Sequence, residues 1–160
     1  MKQHSVIDSP YGLLTLVADD GVLCGLYMTD QRHRPAEDTF GTFDDTLFAE
    51  AEEQLQAYFA GELKEFNLEL RLHGTPFQRS VWEQLVRIPY GETRSYGQLA
   101  DALGNPNASR AVGLANGKNP VSLIVPCHRV VGADGSLTGY GGGIARKQRL
   151  LDFERGAVLF

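Results

Sequence analysis

The sequence predicts an α+β fold: an N-terminal antiparallel β-sheet with a helix, followed by a mainly helical C-terminal domain. Three observations predict it. Short alternating apolar segments separated by Pro/Gly and Asp/Gly turns fill residues 5–28. Apolar residues at helical spacing begin near residue 45. Further on, Thr75-Pro76 and Ser95 have the form of helix starts.

In chain order, Ser5–Asp8, Leu13–Ala18 and Val22–Met28 read as three strands of a meander. Cys24 lies in the third, flanked by Leu23, and reads as a small buried hydrophobe. Residues 29–45 are polar, contain Pro35, and read as an exposed loop. From Asp45 to Ala60 the apolar positions Leu47, Phe48, Ala51, Leu55, Tyr58 and Phe59 predict an amphipathic helix stopped by Gly61. Phe66–Leu70 alternates as a short strand would. A domain boundary is placed near residue 74, giving domains 1–74 and 75–160. Thr75 caps a helix running to Ile88, and Ser95 caps another ending at Gly104. Asn107 is the expected cap of a third helix through Asn116, so the last two helices form a helix-turn-helix pattern.

Composition narrows the class. The 160 residues are 42% hydrophobic and 22% charged, as in ordinary globular chains. No apolar run approaches the ~20 residues that span a bilayer, and Met1–Ser5 lacks the apolar core of a secretory signal. The reading is a cytoplasmic protein without membrane contact. The net charge of −5 is unevenly spread: residues 1–70 hold 4 Lys/Arg against 14 Asp/Glu, and residues 71–160 hold 11 against 6. A basic second half fits contact with a polyanion, and equally fits attraction between the halves.

The helix expected at 107–116 is lined by Ala108, Ser109, Ala111, Gly113 and Ala115, with Arg110 its one long basic side chain. Small residues let a helix backbone approach DNA closely, as in the minor groove, where Arg110 could enter the duplex. They also suit packing against a core. The apolar run Val121–Val125 then leads into Pro126-Cys127-His128-Arg129. A cysteine beside a histidine and an arginine is a candidate nucleophile, because neighbouring positive charge favours the thiolate. Scattered histidines and the absence of a C-x-x-C spacing argue against a metal site.

These segments resemble the O6-alkylguanine-DNA alkyltransferases, also called methylated-DNA–protein-cysteine methyltransferases. The resemblance rests on Ile124-Val125-Pro126-Cys127-His128-Arg129-Val130. Around it stand Thr75-Pro76-Phe77-Gln78 with Val81-Trp82, Ile88-Pro89-Tyr90-Gly91, Ser95-Tyr96, Arg110-Ala111-Val112-Gly113 and Asn119-Pro120. Gly139-Tyr140-Gly141-Gly142-Gly143 and Lys147, Leu150, Leu151 and Glu154 complete it. The order and spacing are specific, and they cover most of the chain.

The resemblance implies an irreversible, stoichiometric transfer of the alkyl group from O6-alkylguanine, with O4-alkylthymine as a second substrate, to Cys127. His128 would deprotonate Cys127 through a water and Glu154 would orient His128. Asn119 would order the turn, and Tyr96 would donate toward the base's N3. Tyr140 would cover the flipped base, and the carbonyls of Cys127 and Val130 would read its exocyclic amine. A backbone N–H near Gly142 would meet O6. Arg110 would fill the gap in the duplex, with Ala108, Ser109, Ala111, Gly113, Thr75, Gln78 and Arg129 also at the DNA. The partner is double-stranded DNA bound by its minor groove, the protein being a monomer in solution, with cooperative assembly on DNA left open. No cofactor and no structural metal are expected, since the zinc ligands found in one family member have no matching set. Gly141 and Ser122 replace a serine and a proline of some relatives, which implies a roomier pocket. Two other classes stay open from the residues alone: a cysteine hydrolase using Cys127, His128 and Glu154, and a DNA-binding module without chemistry.

Overall fold

The alternation of the first 28 residues becomes an antiparallel meander: β1 (Lys2–Ile7), β2 (Leu14–Asp19) and β3 (Val22–Met28). The computed structural model describes residues 1–138, 140 and 143–156. Asp20 and Gly21 join β2 to β3 with φ of 49° and 82°. Positive φ at both positions matches the right-handed strand twist in a two-residue hairpin. A fourth strand, β4 (Thr42–Phe43), pairs parallel with β1, and the sheet order is β3-β2-β1-β4.

Residues 29–45 are more ordered than the expected exposed loop. A 3₁₀ turn at Glu37–Phe40 brings Phe40 into the interior, stacked on Tyr27 at 5.5 Å. Gly41 then passes so close to β1 that a Cβ would stand 1.8 Å from the Lys2 carbonyl oxygen, so only glycine fits.

The helix α1 (Ala49–Phe59) starts four residues later than expected. Asp44 accepts from the backbone N–H and hydroxyl of Thr46, a local turn that competes with helix initiation. Leu55 and Tyr58 on its inner face are fully buried. Residues 66–70 do not form the expected strand. Leu70 makes one parallel bridge to Leu23, while Phe66 and Leu68 pack on the core as partly buried side chains. Their alternation reflects burial rather than strand pairing.

In the second half, α2 (Pro76–Val86) begins with a complete capping box: Thr75 and Gln78 each bond the other's backbone N–H. Trp82 donates from Nε1 to the Ala115 carbonyl at 2.9 Å and so fixes α2 against the next helix pair. Ser95 and Gln98 form a second capping box at α3 (Tyr96–Ala102). The helix α4 (Ser109–Gly117) is capped at Ala108, not Asn107, and without a side-chain bond. Short strands β5 (Arg94–Ser95) and β6 (Val130–Val131) pair in parallel, and α5 (Ile144–Glu154) closes the described chain.

One cluster of buried apolar side chains runs through both halves. The halves are also stitched by backbone: Leu26 on β3 donates to the Pro120 carbonyl at 2.8 Å and accepts from Ser122 N–H at 3.3 Å. The sheet edge thereby holds the segment that leads to Cys127. No helix of the described residues is long and apolar enough to cross a membrane.

Candidate active site

The turn that presents Cys127 is built by Asn119. Its Nδ2 donates to the Val125 carbonyl at 2.7 Å and its Oδ1 accepts from Val121 N–H at 3.0 Å. This cross-brace holds buried Leu123 at φ 72°, a left-handed conformation that strains a bulky residue. Pro126, at φ −82° and ψ 66°, is the centre of an inverse γ-turn closed by Cys127 N–H to the Val125 carbonyl at 2.8 Å. A 3₁₀ turn, Cys127–Arg129, follows at once. The two tight turns follow in succession, the second carrying Cys127, His128 and Arg129. Asn119 thus braces the turn from both sides.

His128 is fully buried, and its Nε2 lies 2.8 Å from Glu154 Oε2. A carboxylate only accepts, so Nε2 carries the proton. Burial lowers the imidazole pKa, outweighing the raising effect of Glu154. The ring is therefore neutral, and its Nδ1 is a bare lone pair that is buried without a hydrogen-bond partner among the described residues. Burial alone would raise the Glu154 carboxyl. His128 and the bonds from Arg129 reverse that and hold it far below the usual carboxylate range.

Arg129 corrects one expectation. It is buried, not at a DNA-facing surface, and its Nε and Nη2 clasp Glu154 at 2.8 and 3.0 Å. Its Nη1 donates to the Ile88 carbonyl at 2.7 Å. The arginine of the Pro-Cys-His-Arg run is a counter-charge for Glu154. Nor does it prepare a thiolate. Burial raises the Cys127 thiol above its ordinary 9.0, while Asn119, Lys147 and Ser122 work in the opposite direction. The resting sulfur is a neutral thiol.

Lys147, noted in the sequence only as part of the resemblance, is fully buried on α5. It donates to the Thr138 carbonyl at 2.8 Å, and burial brings its ammonium down to about 8. The same carbonyl accepts from the Tyr96 hydroxyl at 3.2 Å, so Tyr96 and Lys147 converge on one backbone oxygen. No signal short of the fold brings residues 96, 138 and 147 together.

Beside this centre lies a cleft of about 770 Å³ lined by Tyr96, Ser109, Arg110, Gly113, Leu114 and Tyr140, with Arg32, His33, Gly117 and Lys118. No acidic residue lines it. Arg32, Arg110 and Lys118 are exposed and have no ion pair among the described residues. Tyr140 is buried at the cleft, its hydroxyl without a partner among the described residues. Leu114, 66% exposed on the same helix, was not singled out in the sequence, although an apolar residue on a small-residue helix face is itself a signal. Arg32 and His33 come from the acid-rich half and were also missed.

Several expected contacts are placed elsewhere. Ser122 is buried, does not line the cleft, donates to Gln31 Oε1 at 3.3 Å and bears on the Cys127 thiol. Ala108 is buried at the start of α4, not on its outer face, whereas Ala111 is exposed. Thr75 and Gln78 are engaged in their capping box. The Cys127 carbonyl already accepts from Val130 N–H and, at 3.4 Å, from Asn116 Nδ2. A carbonyl has two lone pairs, so a guanine amine would have to displace one of these donors. Val130 itself is buried on β6. Gly141 and Gly142, expected as base-binding positions, lie outside the described residues.

Comparison with known proteins gives a consistent result. The family model for the 6-O-methylguanine DNA methyltransferase DNA binding domain matches residues 76–156, and that for the ribonuclease-like domain of the same proteins matches residues 3–72. A methylated-DNA–protein-cysteine methyltransferase of Mycolicibacterium paratuberculosis is 59% identical over 97% of this chain and 93% of that relative. One from Methanosarcina acetivorans is 49% identical over 94% of this chain and 97% of its own length. The solved structure of Mycobacterium tuberculosis OGT in complex with DNA superposes with a TM-score of 0.92 at 56% identity, covering 98% of this chain and 95% of that one.

Proposed function

The chain belongs to the 6-O-methylguanine DNA methyltransferase family, and from that premise we propose that Cys127 is the residue onto which it draws the alkyl group. The protein acts on DNA and repairs it by alkyl transfer to its own cysteine. The hydrolase reading falls with this membership.

The observation that carries the assignment is the open lone pair of His128, buried next in sequence to the buried thiol and locked by Glu154. The Cys127 proton passes to His128 Nδ1 through one bridging water. Sulfur then attacks the alkyl carbon in line, and the carbon–O6 bond breaks. The electron pair returns to the purine, where Tyr96 donates toward N3 once its hydroxyl turns from the Thr138 carbonyl to the base. The logic is that of a nucleophile, base and orienting carboxylate. As there, the nucleophile starts protonated, so the thiol is activated only as the alkylated base arrives. A thioether has no leaving group that water could displace, so each chain reacts once.

The alkylated guanine must leave the stack to reach a buried sulfur, at a cost of a few kcal/mol. We assign the cleft between Tyr96, Gly113 and Tyr140 to the flipped base, with α4 in the minor groove and Arg110 in the vacated space. The unpaired Arg32, Arg110 and Lys118 supply phosphate contacts at the rim. We divide the chain near residue 74, the second part carrying the cysteine and the DNA-facing helix. One protein molecule acts on one lesion.

The test is Cys127→Ser. Its hydroxyl is a far weaker nucleophile, while the cleft and its cations are untouched. Duplex affinity should stay within about twofold and transfer should vanish. Measurable transfer by this variant would assign the acceptor elsewhere.

A further inference from the structure

Glu154 is held by a residue that no part of the mechanism above employs. Tyr58, on α1 of the N-terminal half, donates its hydroxyl to Glu154 Oε2 at 2.6 Å, across a sequence separation of 96. The same oxygen meets His128 Nε2 at 2.8 Å and Arg129 Nη2 at 3.0 Å, while Oε1 takes Arg129 Nε at 2.8 Å. Three donors crowd an oxygen with two lone pairs. The Tyr58 ring is fully buried, edge-on to Phe153 at 5.7 Å and tilted on Phe66 at 5.4 Å. Most buried tyrosines find a partner for the hydroxyl. Here the acceptor is the very oxygen that orients the catalytic base.

We propose that Tyr58 is a positioning residue for alkyl transfer, setting through Glu154 how tightly His128 holds a proton. The proposal rests on the assignment of Cys127 and His128 above. Each hydrogen bond to a carboxylate withdraws negative charge from it and weakens its pull on the other donors. The phenol and the imidazole compete for Oε2. With the phenol present, Glu154 stabilises a doubly protonated His128 less, so the ring keeps its Nδ1 lone pair open at neutral pH. Without it, Glu154 turns its full charge on His128, and Nδ1 takes up a proton more readily. That proton closes the path from Cys127.

The groups facing this pair come from every element around it. Tyr11 follows β1, Tyr90 follows α2, Cys127 and Arg129 flank His128, Lys147 lies on α5, and Tyr140 lies at the cleft. Besides His128, the hydrogen bonds on the carboxylate come from Tyr58 and Arg129, and a guanidinium does not titrate. Burial and the Glu154 charge raise the Tyr58 phenol, which remains a donor throughout. Tyr58→Phe therefore removes one contact and keeps the ring.

The experiment is single-turnover alkylation by free O6-benzylguanine as a function of pH, which leaves DNA binding out. For Tyr58→Phe, the acidic limb of the rate profile should move up by about one pH unit, a tenfold loss on that side, with the plateau near that of the parent. Replacing Tyr58 with 3-fluorotyrosine, a stronger donor in a nearly unchanged shape, should move the limb down. Nitrogen NMR of His128 should follow both shifts in the absence of any reaction. Superimposable profiles and histidine titrations in all three proteins, or a uniform slowing at every pH, would overturn the proposal. A parent chain that is not alkylated at all would instead remove the Cys127 assignment, and the NMR titration separates that failure from this one.

Discussion

Cys24 and Cys127 are both buried, at 6% and 5% exposure, and burial raises both thiols above the ordinary 9.0. Exposure and the direction of the thiol shift do not distinguish them. Their surroundings do. Cys24 sits on β3 in a small cluster with Val17, Tyr27 and Phe40, a place that asks only for a compact apolar side chain. Cys127 opens a 3₁₀ turn braced by Asn119, with Lys147 and Ser122 opposing the effect of burial and an imidazole lone pair left open next to it. On the proposed assignment, reactivity in this fold is a proton path waiting for a substrate, not a thiolate kept in store. A resting thiolate would meet any electrophile, whereas a gated one meets the base that fits the cleft.

The largest effect expected on this contrast follows from removing the path. His128→Gln should slow transfer to free O6-benzylguanine by about 10²–10⁴-fold, the usual contribution of a positioned general base. A loss under tenfold in single-turnover kinetics would mean that Cys127 needs no base and differs from Cys24 by access alone.

Next comes the charge beneath the path. Glu154→Ala leaves the Arg129 guanidinium buried without its partner, which typically costs about 3–5 kcal/mol. Urea unfolding at neutral pH reads this directly. The pH dependence has a definite sign. The folded Glu154 pKa lies below its unfolded value, so its stabilisation is fully present above the ordinary 4.5 and is lost as pH falls below that value toward the folded pKa. The parent should lose stability over that acid range, and Glu154→Ala should lose less. Parallel curves for the two proteins would separate Glu154 from the acid limit of the fold.

The smallest effect belongs to Cys24. Cys24→Ala should cost about 1 kcal/mol, as a modest cavity does, and leave transfer unchanged. A slower transfer would tie the sheet to the chemistry through Cys24 and blur the comparison.

How much of this was legible in the sequence depends on the range of the interactions. The meander and the caps at Thr75 and Ser95 were legible, because period-two alternation and a small hydroxyl residue ahead of a helix are local physics, while the glutamines that complete both capping boxes were not singled out as partners. Strand β4 was not, since two residues pairing in parallel with β1 leave no pattern of their own. Phe66–Leu70 imitated a strand because alternate side chains pack on the core there. At the site, Cys127 was singled out by its Pro-Cys-His-Arg setting, the roles of His128 and Glu154 came only with the resemblance, and Asn119 braces the turn through two side-chain bonds. Arg129 was misplaced because a basic letter does not say whether its anionic partner is a phosphate outside or Glu154 inside. Tyr58 was legible as core, from helical spacing, but its hydroxyl partner lies at the far end of the chain.

The measurement that bears most directly on the central claim is intact-protein mass spectrometry after incubation with duplex DNA containing O6-methylguanine, followed by peptide mapping. The account predicts one added methyl group per chain, found on the peptide that contains Cys127, with Cys24 unmodified. A methyl group on Cys24, or none on either cysteine, would contradict it.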